Sequence, residues 1–190
     1  YQQKNIKRLL AYSSIAHMGY LIMAFSLATK AGIIAANFHL LNHALMKSSL
    51  FLISGIFALE VNSYKLEDWV GLNYKLPYQT LLFSFAALAI IGLPPFNGFI
   101  SKWLIVKETI NQGYYSAAFL LLMGTVLSLI YYLKLIQLLY QKPKEEYETK
   151  DQNYILTGVV TITTSLCLLL GLFPSVALKL INQTVILLGG

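Results

Sequence analysis

The sequence is poor in cysteine and in charge. Of its 190 residues, 12% are charged and 57% are hydrophobic, whereas soluble domains carry about a quarter charged residues. The single cysteine, Cys167, cannot form a disulfide framework, a zinc site or a thiolate-held iron–sulfur cluster. We therefore expect no cofactor in this chain, and any redox cofactor is expected on another chain.

Two other features are missing. The sequence has no initiator Met and no signal-peptide pattern, so we expect an internal piece of a longer polytopic protein, preceded by a large N-terminal part. A basic stripe is also absent: the formal net charge is +6, but the basic residues stand singly among apolar runs. Nucleic acid is therefore excluded as a partner, and the lipid bilayer is the partner that the composition indicates.

Six apolar stretches divide the chain and predict an all-α polytopic transmembrane helix bundle. About 20 helical residues cross the hydrocarbon core of a bilayer, so the chain has the length for about five or six spans. The stretches cover residues 9–28, 33–59, 78–106, 114–139, 154–173 and 176–188, and the last is only marginally long enough. We expect a single transmembrane domain over residues 1–190, the C-terminal portion of the longer subunit.

The distribution of lysine and arginine predicts the orientation of the bundle. If each stretch crosses once, the N-terminus and the polar links 60–77 and 140–152 lie on one side, called side A, and the opposite side is side B. Side A then holds Lys4, Lys7, Arg8, Lys65, Lys75, Lys142, Lys144 and Lys150, and side B holds Lys30 and Lys107, with Lys179 if the tail stays there. Positive charge collects on the cytoplasmic side, so both links are predicted to be cytoplasmic.

The segment at residues 39–47, HLLNHALMK, predicts an ion relay. His39, His43 and Lys47 are spaced i, i+4, i+8 and lie along about 12 Å of one helix face. Histidine changes its charge near physiological pH, and lysine loses its proton more readily when other cations crowd it. The alternatives are a helix-packing hydrogen bond, snorkelling of Lys47 and a metal site. Lys47 is too central in its apolar run to snorkel, and no cysteine or acidic residue accompanies the histidines.

The segment IGLPPFNGFISK at residues 91–102 predicts a discontinuous helix between Gly92 and Gly98. Two prolines remove backbone donors, and the glycines relax the chain. Irregular backbone at membrane depth is tolerated only inside protein or beside a water-filled cavity, and transporters build ion sites at such breaks. Lys102, where the second half-helix would begin, is therefore a pathway candidate. The alternative is a kink that only shapes packing.

Four further residues are weaker pathway candidates, namely Lys7, His17, Lys134 and Glu108. His17 lies among small and hydroxylated residues typical of close helix packing. Lys7 and Lys134 lie near predicted cytoplasmic helix ends, where they also fit as anchors. Glu108 could pair with Lys102 or Lys107, or lie in an aqueous mouth.

Three motifs resemble, in the same order, those of the antiporter-like subunits of complex I, of Mrp-type cation/proton antiporters and of membrane-bound hydrogenases of the formate-hydrogenlyase type. Residues 5–20 resemble the opening of a mid-chain helix, residues 39–47 the histidine-rich relay helix, and residues 92–102 the second discontinuous helix. The resemblance implies proton translocation along a central axis that includes His39, His43, Lys47 and Lys102, with Lys7 less clearly matched. Asn5 stands where the family commonly has an aspartate.

The resemblance also implies surroundings and leaves alternatives open. It implies an energy-transducing membrane, which is the cytoplasmic membrane in prokaryotes, with homologous antiporter-like subunits and redox-arm subunits as partners. The family's glutamate–lysine pair would precede this segment, and neither the branch of the family nor the choice of H⁺ or Na⁺ is fixed. A subunit contributing directly to quinone or hydrogenase chemistry is one alternative, although no cluster-ligating motif, nucleotide loop or nucleophile supports it. A structural membrane scaffold is the other, and three ionisable groups on one stripe argue against it.

Overall fold

The computed structural model describes residues 3–143 and 154–188, so most of the predicted link at 140–152, with Lys144 and Lys150, lies outside the described residues. The described chain is helical and includes two 3-10 turns, at Leu66–Trp69 and Leu72–Tyr74. Its α-helices are α1 (Ile6–Ser26), α2 (Lys30–Val61), α3 (Pro77–Ile91), α4 (Asn97–Asn111), α5 (Tyr115–Tyr140), α6 (Tyr154–Leu172) and α7 (Pro174–Leu188). The predicted all-α class is confirmed.

Four of these helices, α1, α2, α5 and α6, are long and apolar enough to cross a membrane. The number rises to five if Leu66–Tyr74 and α3 count as one bent span, which is the lower end of the predicted five to six. Helices α3, α4 and α7 have 15 residues each. Such a helix is about 22 Å long, less than the roughly 30 Å of the hydrocarbon core, so the sixth predicted stretch is too short to span by itself.

Helix α2 is the centre of the bundle and packs against α1, α3, α4, α6 and α7. It has 32 residues, which corresponds to about 48 Å. It starts at Thr29, whose hydroxyl caps the first turn by accepting the Gly32 N–H at 3.0 Å, and ends at Asn62 in the left-handed region. Because neighbours surround α2, its side chains His39, Asn42, His43 and Lys47 are buried inside the bundle.

The predicted break lies between α3, which begins after the side-A link, and α4, whose Glu108 contacts Thr29 at the opposite end of the bundle. Helix α3 ends at Gly92, whose φ of +89° suits glycine. The first turn of α4 lies so close to α3 that a Cβ on Gly98 would be 1.8 Å from the Ala89 carbonyl oxygen. This close crossing fixes the start of α4, and with it Ser101 and Lys102, against the last turn of α3.

The N-terminus, the link before α3 and the end of α5 meet at side A. The Ile6 N–H donates to the Tyr64 carbonyl at 3.1 Å, and the Leu66 N–H donates to the Lys4 carbonyl at 2.9 Å. The Gly71 N–H donates to Leu138 at the end of α5. These contacts agree with the predicted parity of the spans, and the cytoplasmic location of side A stays a prediction.

An exposed ion pair joins the same two segments. Lys4 Nζ lies 2.5 Å from Glu67 Oε1, with the two side chains 75% and 63% exposed. The ammonium holds the pKa of Glu67 below its usual value, and the carboxylate raises the pKa of Lys4. The pair is therefore complete at neutral pH and is lost as the pH falls through the lowered pKa of Glu67. Solvent screens it, so it adds little stability.

A second ion pair at side A is buried. Lys75 Nζ lies 2.6 Å from Glu60 Oε1, and the side chains are 7% and 13% exposed. We expect Glu60→Gln to destabilise the fold by about 3 kcal/mol, because the ammonium loses its counter-charge in a site with little water. The midpoint of thermal unfolding in detergent should fall by roughly 6–12 °C.

Two controls frame this prediction. Lys4→Gln should leave the midpoint within about 1 °C because its pair is exposed. The double variant Glu60→Met/Lys75→Leu should recover most of the loss because it removes both charges together. An unchanged midpoint in Glu60→Gln would contradict a stabilising role for the buried pair.

Candidate functional site

Three imidazoles form a stack at the centre of the bundle. His17 on α1 lies between His39 and His43 on α2, with ring centroids 5.2 Å and 5.0 Å away. His39 and His43 are 6.4 Å apart. All three are buried, with exposures of 2%, 0% and 8%. His17 of α1 therefore bridges His39 and His43, the two histidines of the predicted stripe on α2.

A hydrogen-bond chain links this stack to the broken helix. His17 Nδ1 lies 3.0 Å from His39 Nε2, and His39 Nδ1 lies 2.9 Å from Ser101 Oγ on α4. The Ser101 hydroxyl is also 3.1 Å from the Gly98 carbonyl oxygen. Three helices therefore contribute to one continuous row of groups that can donate and accept protons.

Lys47, the third member of the stripe, is buried and does not snorkel. Its side chain is 6% exposed, and Nζ donates to the Leu10 carbonyl of α1 at 2.8 Å. It is four positions after His43 on α2, so it lies about 6 Å further along the helix axis. An ammonium at this depth is costly unless backbone oxygens or water replace its hydration, as the Leu10 carbonyl does here in part.

Lys102 is bound at the end of α3. Its side chain is 5% exposed, and Nζ donates to the carbonyls of Ile90 and Ile91 at 3.1 Å and 2.9 Å. Thr125 Oγ1 of α5 is 3.4 Å away. The last carbonyls of a helix carry partial negative charge and have no intrahelical donors, so they suit an ammonium group. The break predicted from the sequence thus supplies the binding site for Lys102.

The four weaker pathway candidates lie in different parts of the bundle. His17 joins the central stack. Lys7 is exposed, with Nζ 3.6 Å from the centroid of the Tyr64 ring, and Lys134 is exposed near the side-A end of α5. Glu108 lies at the opposite end of the bundle, where it accepts hydrogen bonds from Thr29 Oγ1 at 2.7 Å and from Gln112, and it forms no ion pair with Lys102.

A cavity between α1 and α5 reaches the histidine stack from side A. The inner part has a volume of about 220 Å³ and is lined by His17, Tyr20, Ser13 and Ser128 among others. It adjoins an outer part of about 560 Å³ that is lined by Lys4, Glu67 and Lys134 among others. Gln3, Leu9 and Tyr131 line both parts. His17, Ser13 and Ser128 are polar groups in this mostly apolar space, and water bound to them can bridge the stack to side A.

Several polar contacts of the site were not predicted from the sequence. Ser101 holds His39, and a buried Asn42–Asn97 hydrogen bond of 2.9 Å joins α2 to the start of α4. Tyr132 donates to Ser13 at 3.2 Å and joins α5 to α1. The available signal was position: Asn42 directly precedes His43, and Ser101 directly precedes Lys102.

Comparisons with known proteins identify one family of membrane proteins. A family model described as "NADH:quinone oxidoreductase/Mrp antiporter, TM" matches residues 1–130. NADH-quinone oxidoreductase subunit N of Pelagibacter ubique is 36% identical over 185 residues, which are 95% of this chain and 39% of that protein.

Two solved structures share the fold. The membrane-bound sulfane sulfur reductase, an archaeal respiratory membrane complex, contains a chain that matches with a TM-score of 0.90 and 30% identity. The match covers 97% of this chain and 37% of that one. Respiratory complex I from Thermus thermophilus contains a chain that matches with a TM-score of 0.77 and 33% identity, over 94% of this chain and 40% of that one.

The fold and the buried cluster define an integral membrane protein with ionisable side chains in contact across its helices. The chain belongs to the NADH:quinone oxidoreductase/Mrp antiporter transmembrane family. It spans about two fifths of the length of the first curated relative it matches.

Proposed function

We propose that this chain is the C-terminal part of an antiporter-like subunit that moves protons, or another cation, across an energy-transducing membrane. The observation that carries the proposal is the contact of His17 with His39 and His43 inside the bundle, continued to Ser101 by a hydrogen bond of 2.9 Å. Family membership supports the same activity, since the family model is named for NADH:quinone oxidoreductases and Mrp antiporters.

The pathway residues are Lys47, His43, His17, His39 and Lys102. A proton passes between the imidazoles directly or through a bridging water, and Lys47 on α2 and Lys102 on α4 are the lysines that flank this row. Because the groups repel one another when charged, a proton that loads one site favours release from its neighbour. The cavity between α1 and α5 gives the row a connection to side A through His17.

The partners are the other subunits of a membrane complex. The matching solved chains belong to complexes that are described as respiratory. In our proposal the driving energy comes from redox chemistry elsewhere in such a complex, or from an opposing ion gradient. Homologous antiporter-like subunits and a redox arm are the specific neighbours we infer.

Direct participation in quinone or hydrogenase chemistry is less well supported. The one cysteine, Cys167, is fully buried at the interface of α6 with the bundle, where it packs in the hydrophobic core. Within residues 3–143 and 154–188 no group of three His, Cys, Asp or Glu side chains is arranged around a common metal position. A purely structural scaffold is also less well supported. Burying two lysines and three histidines lowers stability, and a scaffold has no function that would require these residues.

The test uses the complete complex reconstituted in vesicles. Lys102→Ala and His43→Ala should each lower proton transport at least ten-fold while the partner's redox chemistry, measured in uncoupled vesicles, continues. The reason is that each substitution removes a proton-carrying group that no neighbour replaces. Lys107→Ala is the matched control, because Lys107 is an exposed lysine on the same helix as Lys102. Unchanged transport in both variants would refute the proposal.

A further inference from the structure

The Ser101 hydroxyl lies between His39 and the Gly98 carbonyl, and its hydrogen bonds determine which imidazole nitrogens carry protons. Its hydroxyl is 2.9 Å from His39 Nδ1 and 3.1 Å from the Gly98 carbonyl oxygen, and its side chain is fully buried. A hydroxyl has one proton to donate. It can therefore donate either to the Gly98 carbonyl or to His39. Because His39 is hydrogen-bonded to His17, this choice fixes which nitrogen carries the proton in both His39 and His17.

The first arrangement has Ser101 donating to Gly98. The hydroxyl oxygen then accepts from His39, so the His39 proton is on Nδ1 and its Nε2 is bare. That bare Nε2, 3.0 Å from His17 Nδ1, can only accept, so the His17 proton is also on Nδ1. This arrangement contains three hydrogen bonds, from Ser101 to Gly98, from His39 to Ser101 and from His17 to His39.

The second arrangement has Ser101 donating to His39. Nδ1 of His39 is then bare, its proton is on Nε2 and is donated to His17 Nδ1, and the His17 proton is on Nε2. This arrangement contains two of the hydrogen bonds, because the bond from Ser101 to Gly98 is lost. One hydrogen bond in a buried site favours the first arrangement by about five-fold.

We propose that Ser101 is a positioning residue that sets the tautomers of His39 and His17 and so gives this row of groups a direction. The proposal rests on the proposed function for its purpose, but its geometry stands independently. Neutral histidine has two distinct nitrogens, and the partner of one nitrogen fixes the role of the other. Ser101 is the partner that α4 supplies at the end of the row.

One proton passing along the row converts the first arrangement into the second. It binds Nε2 of His17, the Nδ1 proton of His17 moves to Nε2 of His39, and the Nδ1 proton of His39 moves to the Ser101 oxygen. The original hydroxyl proton leaves to a water molecule, so one H⁺ enters and one H⁺ leaves. The row then points the opposite way and cannot carry a second proton in the same direction until both imidazoles and the hydroxyl are reset.

The test reads the tautomers directly. The full subunit, with histidines labelled with ¹⁵N at Nδ1 only, is measured by solid-state NMR in lipid vesicles at rest, and signals are assigned by their loss in His17→Phe and His39→Phe. In the wild type, Nδ1 of both histidines should be predominantly protonated, with an excess of about five-fold over the bare form. In Ser101→Ala the Nδ1–H of His39 has no acceptor, so both Nδ1 signals should change to the bare form.

Two variants separate this role from a general effect on packing. Ser84→Ala removes a buried serine hydroxyl that bonds a carbonyl of its own helix, at Thr80, without touching a histidine, so it should leave both signals protonated. Ser101→Thr keeps the hydroxyl and should restore the wild-type signals. Bare Nδ1 in the wild type, or protonated Nδ1 in Ser101→Ala, would overturn the proposal.

Transport gives the second readout. Ser101→Ala should lower proton transport at least five-fold while the subunit remains folded, with a cooperative thermal unfolding transition. A change of tautomer without any loss of transport would overturn the directional role of Ser101. The proposed function itself is decided separately, by Lys102→Ala and His43→Ala, so the two proposals fail on different variants.

Discussion

Gly98→Ala is expected to destabilise the bundle by about 3 kcal/mol or more and to abolish transport with it. The added Cβ would lie 1.8 Å from the Ala89 carbonyl oxygen, 2.9 Å from the Ala89 carbonyl carbon and 3.2 Å from Met46 Sδ. Two of these three atoms are backbone, so relief requires α4 to move away from α3 by more than an ångström. Overpacking a fixed contact of this kind costs about 1–3 kcal/mol and occasionally more.

The loss of transport follows from what α4 positions. Ser101 and Lys102 lie one turn after Gly98, and their hydrogen bonds to His39 and to the carbonyls of Ile90 and Ile91 are all 2.9–3.1 Å long. A shift of an ångström breaks them. The measurements are the midpoint of thermal unfolding in detergent and proton uptake by vesicles that contain the complex.

Gly55→Ala is the matched control for this substitution. Gly55 lies within α2, and a Cβ placed on it meets nothing within 4 Å. Alanine favours a helix over glycine by about 1 kcal/mol, so this variant should be as stable as the wild type or slightly more stable. A Gly98→Ala protein with a wild-type midpoint would contradict the close crossing of α3 and α4.

His17→Phe is expected to lower proton transport at least ten-fold while the subunit remains folded. Phenylalanine fills a similar volume in a site that is 2% exposed, but it has no nitrogen to accept or donate a proton. His39 Nε2 loses the partner now 3.0 Å away, and the link between His39 and His43 is interrupted because their rings are 6.4 Å apart. The stability cost of the unpaired nitrogen is about 1–3 kcal/mol.

Two further variants test whether His17 acts as a member of the row. Arg8→Gln, at an exposed position on the same helix, should keep wild-type transport. His17→Phe/His39→Phe should transport no worse than either single variant, because residues of one pathway are not additive. If His17→Phe retained more than half of the wild-type rate, the pathway would have to run along α2 without α1.

The local features of the site were predictable because a single helix fixes them. The spacing of His39, His43 and Lys47 places them along one face whatever surrounds the helix, since rise and rotation per residue are constant. The break between α3 and α4 was predictable for a similar reason, because paired prolines and glycines act on the backbone itself. The depth of Lys102 was not predictable, because the rise across the break depends on how α4 crosses α3.

The contacts between helices could not be derived from the pattern. His17 lies in a run of small residues on α1, and nothing in that run states which face of α2 it will meet. The same holds for Ser101, because a small residue in a helix is typical of close helix packing. Only the close crossing at Gly98 places its hydroxyl 2.9 Å from His39 Nδ1. Helix α7 has 15 residues, a length at which the hydrophobic pattern alone does not decide whether a helix spans the membrane.

The sequence by itself determined that this protein is an all-α membrane bundle with a histidine–lysine stripe on one helix and a lysine beside a broken one. Composition and backbone chemistry suffice for these features, because they act over one or two helical turns. Only the tertiary structure decided that the stripe meets His17, that Ser101 closes the row, and that Lys102 binds the end of α3. A hydrogen bond requires two atoms within about 3 Å, and that distance is set by the crossing of α1, α2 and α4 rather than by any one of them.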